Sequence, residues 1–293
     1  MVRDQVEEWS ERPGSPWPAW TKQMVGDALE RSSRLREYSY EIVVQGSYAN
    51  KTNIRAHSDV DLVVQMRMPF EEQLDDLGPA EKRRFAAKYV NAAIGWHEFR
   101  QDVISALRKS YFVTVGHKCI DIQDWDSLLR IPADIVPAIE FRRYRTFASG
   151  GGETFDEGIY FEDHRGRVVL SFPKQHLRNG NRKDAATGGR FKQVVRAVKN
   201  ARLHLMDVEA DDRASALSSY FIECLCYNVP DEEYRQSALP VAYGRCLSWL
   251  AANLDLAGEF VCQNELAGLF ADDQQAWSVE SVPYLTTTLM RGR

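Results

Sequence analysis

Cysteine is scarce in this chain and follows no pattern. The five present, Cys119, Cys224, Cys226, Cys246 and Cys262, are odd in number and contain no C-x-x-C pair, so neither a disulfide framework nor a zinc ribbon is indicated. The six histidines show no metal-ligand spacing. No apolar run reaches about 18 residues and no N-terminal leader pattern appears, so a cytoplasmic protein without a membrane span is expected. Internal repeats and low-complexity stretches are absent, which excludes a solenoid. Positive charge is not in excess either. Lysine and arginine total 37 against 42 acidic residues, a net charge of −5, which argues against a general nucleic-acid coat protein but leaves room for local basic patches.

A chain of 293 residues is long for one core and comfortable for two packed lobes. Its most informative stretch runs from Gly46 to Val64, G-S-Y-A-N-K-T-N-I-R-A-H-S-D-V-D-L-V-V. Asp59 and Asp61 sit two apart in a run otherwise made of Val60, Leu62, Val63 and Val64, which reads as a strand. Alternation along a strand points both carboxylates to the same side. Two such charges repel unless something neutralises them, and hard oxygen ligands suit Mg²⁺. Upstream, a first strand over Tyr40 to Gln45 is followed by Gly46 and Ser47. The backbone N–H groups and hydroxyl of that turn can hold a phosphate. A phosphate cradle and paired carboxylates on one short β-unit point to metal-assisted nucleotidyl transfer. His57, beside the carboxylates, reads as an exposed loop histidine.

Elsewhere the pattern is coarser. Trp9 to Trp20, rich in Pro, Gly and Trp, reads as an irregular arm. A helix is expected from about Thr21 to Tyr38, with Trp20, Met24, Ala28 and Leu35 on one stripe. Pro79 to Lys109 reads as a long helical stretch broken near Gly95, its first apolar stripe being Ala86, Tyr89, Val90 and Ala93. Strands are expected at Phe112 to Val115 and Lys118 to Gln123. Asp134, in another apolar strand-like run, and Asp121, in Cys-Ile-Asp-Ile-Gln, are rival candidates for a third carboxylate. Gly158 to Ser171 reads as a hairpin turning at His164 to Arg167. Pro173 to Gly189 is polar and basic and reads as an irregular connection between lobes. From Gly189 the chain is helical, with Lys192, Arg196 and Lys199 on a face apart from the apolar one. Arg142, Arg143 and Arg145 form a short basic cluster, and the residues from Lys174 to Lys199 form a longer one. Cys224, Cys226 and Cys246, in apolar helical surroundings, are expected core thiols.

The Gly46–Val64 block resembles the polymerase-β-type nucleotidyltransferase signature, and its N-K-T-N-I-R filling resembles the bacterial cGAS/DncV-like nucleotidyltransferases (CD-NTases), especially clade E. Three further blocks agree: Ala133 to Tyr144, Phe172 to Gly180 with Thr187 to Lys192, and Leu217 to Glu223. The resemblance runs from about Tyr38 to Pro230; the last sixty or so residues carry no motif. It implies an α+β protein, a nucleotidyltransferase lobe with a mixed β-sheet plus a helical C-terminal lobe, with the active site in the cleft. The expected division is a catalytic domain over 1–172 and a helical nucleotide-binding domain over 173–293.

By the same resemblance, Asp59, Asp61 and Asp134 are the catalytic residues and hold two Mg²⁺ ions, with Mn²⁺ as an alternative. Gly46 and Ser47 grip the β- and γ-phosphates, Lys192 and Ser219 hold the same triphosphate, and Tyr220 stacks on a base. Asn179 selects the base by pairing with its edge, with Asn181 as the neighbouring candidate. The resemblance implies a cyclic dinucleotide containing a pyrimidine, made from UTP and ATP. The product would activate a separate effector in CBASS anti-phage defence, with no DNA, no membrane and a monomeric enzyme. Rival readings are a template-independent enzyme adding nucleotides to RNA 3′ ends, an antibiotic nucleotidyltransferase, and an inactive nucleotide-binding protein.

Overall fold

A computed structural model describes residues 3–14, 17–55, 59–89, 95–124, 132–207, 212–270 and 277–291. Along the chain come α1 (Arg3–Ser10), α2 (Trp17–Glu30), β1 (Ser39–Val44), the short α3 (Gly46–Asn50), β2 (Val60–Gln73), α4 (Pro79–Lys88), α5 (Trp96–Leu107), β3 (Tyr111–Val115), β4 (Ile120–Asp124), β5 (Ala133–Phe147), β6 (Glu153–Glu162) and β7 (Val168–Ser171). Helices follow: α6 (Pro173–Ala186), α7 (Arg190–Asp207), α8 (Asp212–Ser215), α9 (Ser219–Tyr227), α10 (Asp231–Tyr234), α11 (Leu239–Ala252) and α12 (Ser281–Arg291). The chain divides into two compact units. One comprises Ser15–Tyr48 and His57–Lys174, the other Met1–Gly14, Ala49–Ala56 and Gln175–Arg293. The division read from the sequence at 172/173 differs in the segments 1–14 and 49–56, which fall with the helical unit, and in 173–174, which fall with the sheet.

The first unit is a mixed sheet in the order β1-β2-β5-β4-β3, with β6 beside β5 and β7 beside β6. The β2–β5 pair is parallel and the other pairs are antiparallel. Alternation on β2 sends Val60, Leu62, Val64 and Met66, all fully buried, into one core with Val25 and Leu29 of α2 and Phe99, Val103 and Leu107 of α5. The intervening residues, Asp61, Val63 and Gln65, therefore lie on the other face. Pro69 falls where the β2–β5 register breaks, between Met66 and Phe70, a position where a missing N–H costs no ladder bond. A second, aromatic core gathers Phe85 of α4 with Tyr144 and Phe147 of β5.

The helical unit is built on α7, whose Phe191, Val194, Val195 and Val198 are buried with Phe221, Ile222 and Leu225 of α9, Leu247 and Leu250 of α11, and Leu285 and Leu289 of α12. Val6 of α1 joins this core. The last carbonyls of α1 lack intrahelical partners. Two α7 side chains supply them: Arg196 Nε donates to Ser10 O at 2.6 Å and Asn200 Nδ2 to Trp9 O at 2.8 Å.

Several expectations are corrected. The arm over Trp9 to Trp20 is helical at both ends, since α1 runs to Ser10 and α2 starts at Trp17. The helix expected to reach Tyr38 stops at Glu30, and Leu35–Glu37 is a single 3₁₀ turn. In α4 the core residue is Phe85, whereas Ala86 is exposed; Val90 and Ala93 of that stripe lie outside the described residues, as does His57. The largest correction is Pro173 to Gly189. Most of it is the helix α6, whose buried face is Gln175, His176, Asn179 and Gly180. A helix that buries polar residues has no apolar period to read. No helix among the described residues is long and apolar enough to cross a membrane.

The register of α4 gives a simple stability test. Phe85→Ala should cost about 3–5 kcal/mol, whereas Ala86→Asp should stay within about 0.5 kcal/mol. Urea denaturation of the two variants checks this, and equal losses would refute the buried position of Phe85.

Candidate active site

The register of three neighbouring strands lines up the carboxylates. Asp61 on β2 is the direct partner of Asp134 on β5, and Asp134 is in turn the partner of Asp121 on β4. The two candidates for the third acid are therefore adjacent members of one row. Asp59 stands just before β2, largely exposed. The charges of all four interact. Burial first, then a hydrogen bond with Asp121 and the charges of Asp121, Asp61 and Asp59, push the Asp134 carboxyl up to about 7. Partial desolvation, followed by the Asp121 charge, raises Asp59 as well. Like charges this close share protons unless a cation intervenes.

Cys119 joins the row. Its Sγ lies 3.7 Å from Asp121 Oδ1, and ligand atoms of Cys119, Asp121 and Asp134 all fall within 4.8 Å of one another. Burial and the charges of Asp134 and Asp121 push the thiol up to about 12, so it stays protonated beside the acids. The site thus offers hard oxygen donors and one neutral sulfur, a set that fits a hard divalent cation through its carboxylates.

Gly46 and Ser47 open α3 against this row. Gly46 has φ +65°, and a Cβ there would stand 2.0 Å from Asp61 Oδ2. Only glycine satisfies both the left-handed backbone and the approach of the acid. Gln45 N donates to Asp61 O at 2.9 Å, which fixes this turn to the carboxylate strand.

The residues expected to hold nucleotide in the helical unit sit on α6, α7 and α9. Lys192 is buried, its Nζ donates to Asn181 Oδ1, and burial lowers its pKa. Ser219 is the first residue of α9, and the cap is its neighbour Ser218, whose Oγ accepts from Phe221 N at 3.1 Å. The Tyr220 ring stacks with His176, centroids 5.1 Å apart at 23°, and with Trp277, 5.7 Å apart at 26°. Burial raises its hydroxyl pKa. Asn179 is 1% exposed and donates through Nδ2 to Gln263 O at 3.0 Å. Asn181 is exposed and engaged with Lys192, which separates the two amides.

Sequence reasoning passed over the acid at the centre of this unit. Glu223 of α9 is buried and receives Thr52 Oγ1 at 2.6 Å, His176 Nε2 at 3.0 Å, Asn50 Nδ2 at 3.5 Å and Lys199 Nζ. Burial alone would raise its pKa. The Lys199 charge and the His176 hydrogen bond outweigh that and hold it below the usual carboxylate range. One signal was available: a lone charge inside the apolar run Phe221-Ile-Glu-Cys-Leu.

Comparison with known proteins fits this geometry. Residues 27–160 match the nucleotidyltransferase domain model, and residues 178–291 match the C-terminal helical domain of cGAS/DncV-like nucleotidyltransferases. The cyclic nucleotide synthase CdnE01 of Staphylococcus haemolyticus is 31% identical over 94% of this chain and 92% of its own length. The chain is a cGAS/DncV-like nucleotidyltransferase. The cyclic UMP-AMP synthase of Rhodothermus marinus is 32% identical over 96% of this chain and 93% of its own. The solved structure of the R. marinus CdnE c-UMP-AMP synthase with Apcpp and Upnpp superposes with a TM-score of 0.84 at 31% identity, covering 100% of this chain and 97% of that one. The cyclic dipurine nucleotide synthase of Elizabethkingia meningoseptica is 34% identical over 66% of this chain and 64% of its own. Relatives in this family thus carry names that specify products of different nucleotide composition.

The raised pKa of Asp134 sets a pH dependence. Its folded value, about 7, lies above the ordinary 3.8, so the native state holds a proton that the unfolded chain has lost. The stability linked to that proton is present below about pH 4 and is lost as pH rises through about 7. In chelator-containing buffer, Asp134→Asn should therefore gain Tm relative to the unmutated protein as pH rises across this window. A Tm difference that stays constant over the same window would refute the assignment.

Proposed function

We propose that this nucleotidyltransferase joins two nucleoside triphosphates into a cyclic dinucleotide containing at least one pyrimidine. The observation that carries the reading is the strand register that makes Asp61 and Asp134 direct neighbours beside Gly46, in a chain whose relatives are cyclic nucleotide synthases. Asp59, Asp61 and Asp134 are the residues we assign to divalent metal, Mg²⁺ or Mn²⁺. The bound ions would neutralise charge on the transferring phosphoryl group and lower the pKa of the attacking hydroxyl. Gly46 and Ser47 would present backbone N–H groups and a hydroxyl to phosphate oxygens, and Gly46 would do so without a side chain in the way. Lys192, already partly desolvated, would meet a triphosphate as a strongly felt positive charge. Ser219 would add a hydroxyl. Tyr220 would offer its ring to a base as a member of the His176–Tyr220–Trp277 stack, a contact worth about 1–3 kcal/mol in nucleic-acid systems.

Asn179 is our candidate for reading the base. Its Nδ2 is anchored to Gln263 O, and its Oδ1, buried, has no partner among the described residues. An oriented amide with an open acceptor suits an N–H on a pyrimidine edge. The UMP-AMP synthase from R. marinus supports the pyrimidine; the E. meningoseptica relative, named for a dipurine product, supports the purine alternative. We further propose that the product serves as a second messenger for a separate effector in CBASS anti-phage defence, made in the cytoplasm by a monomer that needs no DNA.

Two measurements test this. Asp59→Asn combined with Asp61→Asn should lower turnover by at least about a thousandfold, since loss of metal ligands removes several kcal/mol of barrier reduction, while the circular dichroism spectrum stays unchanged. Turnover within tenfold of the unmutated enzyme would sink the assignment. Mass spectrometry of the product from equal UTP, CTP, ATP and GTP should show a cyclic dinucleotide with a uridine, and Asn179→Ser should shift incorporation towards purines. An all-purine product from the unmutated chain would refute the pyrimidine, and a linear ladder would favour RNA-type addition.

A further inference from the structure

The buried face of α6 is polar, and much of it has nothing to bond to. Gln175 Oε1, His176 Nδ1 and Asn179 Oδ1 have no hydrogen-bond partner among the described residues, nor has Oε1 of Gln263, whose main-chain carbonyl anchors Asn179. All four side chains are at least nine-tenths buried. Native proteins leave few such atoms unpaired.

His176 is the best defined of the four. Its Nε2 lies 3.0 Å from Glu223 Oε2. Glu223 is flanked by Lys199 and kept ionised, so it can only accept, and Nε2 must carry the hydrogen. In the neutral ring that leaves Nδ1 as a bare acceptor. The same ring lies nearly parallel to Tyr220, the side chain assigned above to base stacking. Thr52 and Asn50 complete the shell around Glu223, which resists rotation of the carboxylate. A fixed tautomer, a fixed ring plane and an open, desolvated acceptor are what recognition of an N–H group requires.

We propose that His176 is a nucleotide-binding residue that accepts a hydrogen bond from a nucleobase N–H through Nδ1, with Glu223 as the positioning residue that holds the ring in this tautomer. The inference rests on the reading of the chain as a nucleotidyltransferase that takes nucleoside triphosphates. It extends the base-reading set from Asn179 to the residue one turn before it on α6.

His176→Gln should separate binding from folding, because the glutamine amide nitrogen can still donate to Glu223 while the Nδ1 acceptor is gone. We expect the KM for the preferred triphosphate to rise about tenfold, the cost of one buried hydrogen bond, with kcat within about threefold and Tm nearly unchanged. A second measurement needs no substitution at His176. In the ¹⁵N-histidine spectrum of the unmutated chain, His176 should be a neutral ring protonated at Nε2. Its Nδ1 signal should move when a nonhydrolysable UTP or ATP analogue is added with Mg²⁺, and Glu223→Gln should disturb the tautomer before any nucleotide is added. An unmoved Nδ1 signal under saturating analogue, or an unchanged KM in a folded His176→Gln enzyme, would overturn the proposal and point to an ordered water as the missing donor. An unmutated chain that binds the analogues but forms no cyclic product would overturn the synthase reading alone. A chain that binds none of them would overturn both.

Discussion

The register between β2 and β5 is the constraint on which the site depends. Parallel pairing sets Leu62 beside Ile135 in the core and Asp61 beside Asp134 on the opposite face. A slip of one residue would send the carboxylates into the apolar layer under α2 and α5 and bring core side chains to the surface. The burial of Val60, Leu62, Val64 and Met66 thus holds the acids together against their own repulsion. The hydrophobic effect on one face stabilises an electrostatically unfavourable arrangement on the other, and burial, a hydrogen bond with Asp121 and the neighbouring charges together raise the pKa of the Asp134 carboxyl.

The helical unit uses the opposite device. Its centre is a buried ion pair, Glu223 with Lys199, inside a shell of hydrogen bonds from Thr52, Asn50 and His176. Buried pairs contribute little net stability compared with apolar packing, but removing one partner is expensive. What the arrangement supplies is direction. Thr52 also accepts from Lys199, and Arg196 holds Lys51 O at 2.7 Å, so Lys51 and Thr52, just after α3, are tied to the polar face of α7. The cations Lys192, Arg196 and Lys199, set apart from the apolar face of α7 in the sequence, are all buried.

How much of this was legible in the sequence follows from the physics of each element. The carboxylate strand could be read because two charges stood in a run of β-branched and aliphatic residues, and the hairpin could be read because its turn residues are strong. The row of three acids could not be resolved, because spacing along a chain does not reveal which strands pair; only the family resemblance favoured Asp134 over Asp121, and the pairing of β4 with β5 sets both in one row. The helix α6 was illegible for a different reason: its buried face is Gln175, His176 and Asn179, so hydropathy marks it as a loop. In α4 the difference between Phe85 and Ala86 is one position on a short helix, below what periodicity can settle over three turns.

The thiols have a practical consequence. Cys224, Cys226, Cys246 and Cys262 are buried, and Cys119 is half-shielded among carboxylates that keep it protonated. Alkylating reagents attack the thiolate, so the folded protein should be nearly silent towards maleimides near neutral pH. A single cysteine placed on an exposed helix position would then take a fluorophore selectively, without first stripping the native five, and each of the two units could carry its own dye.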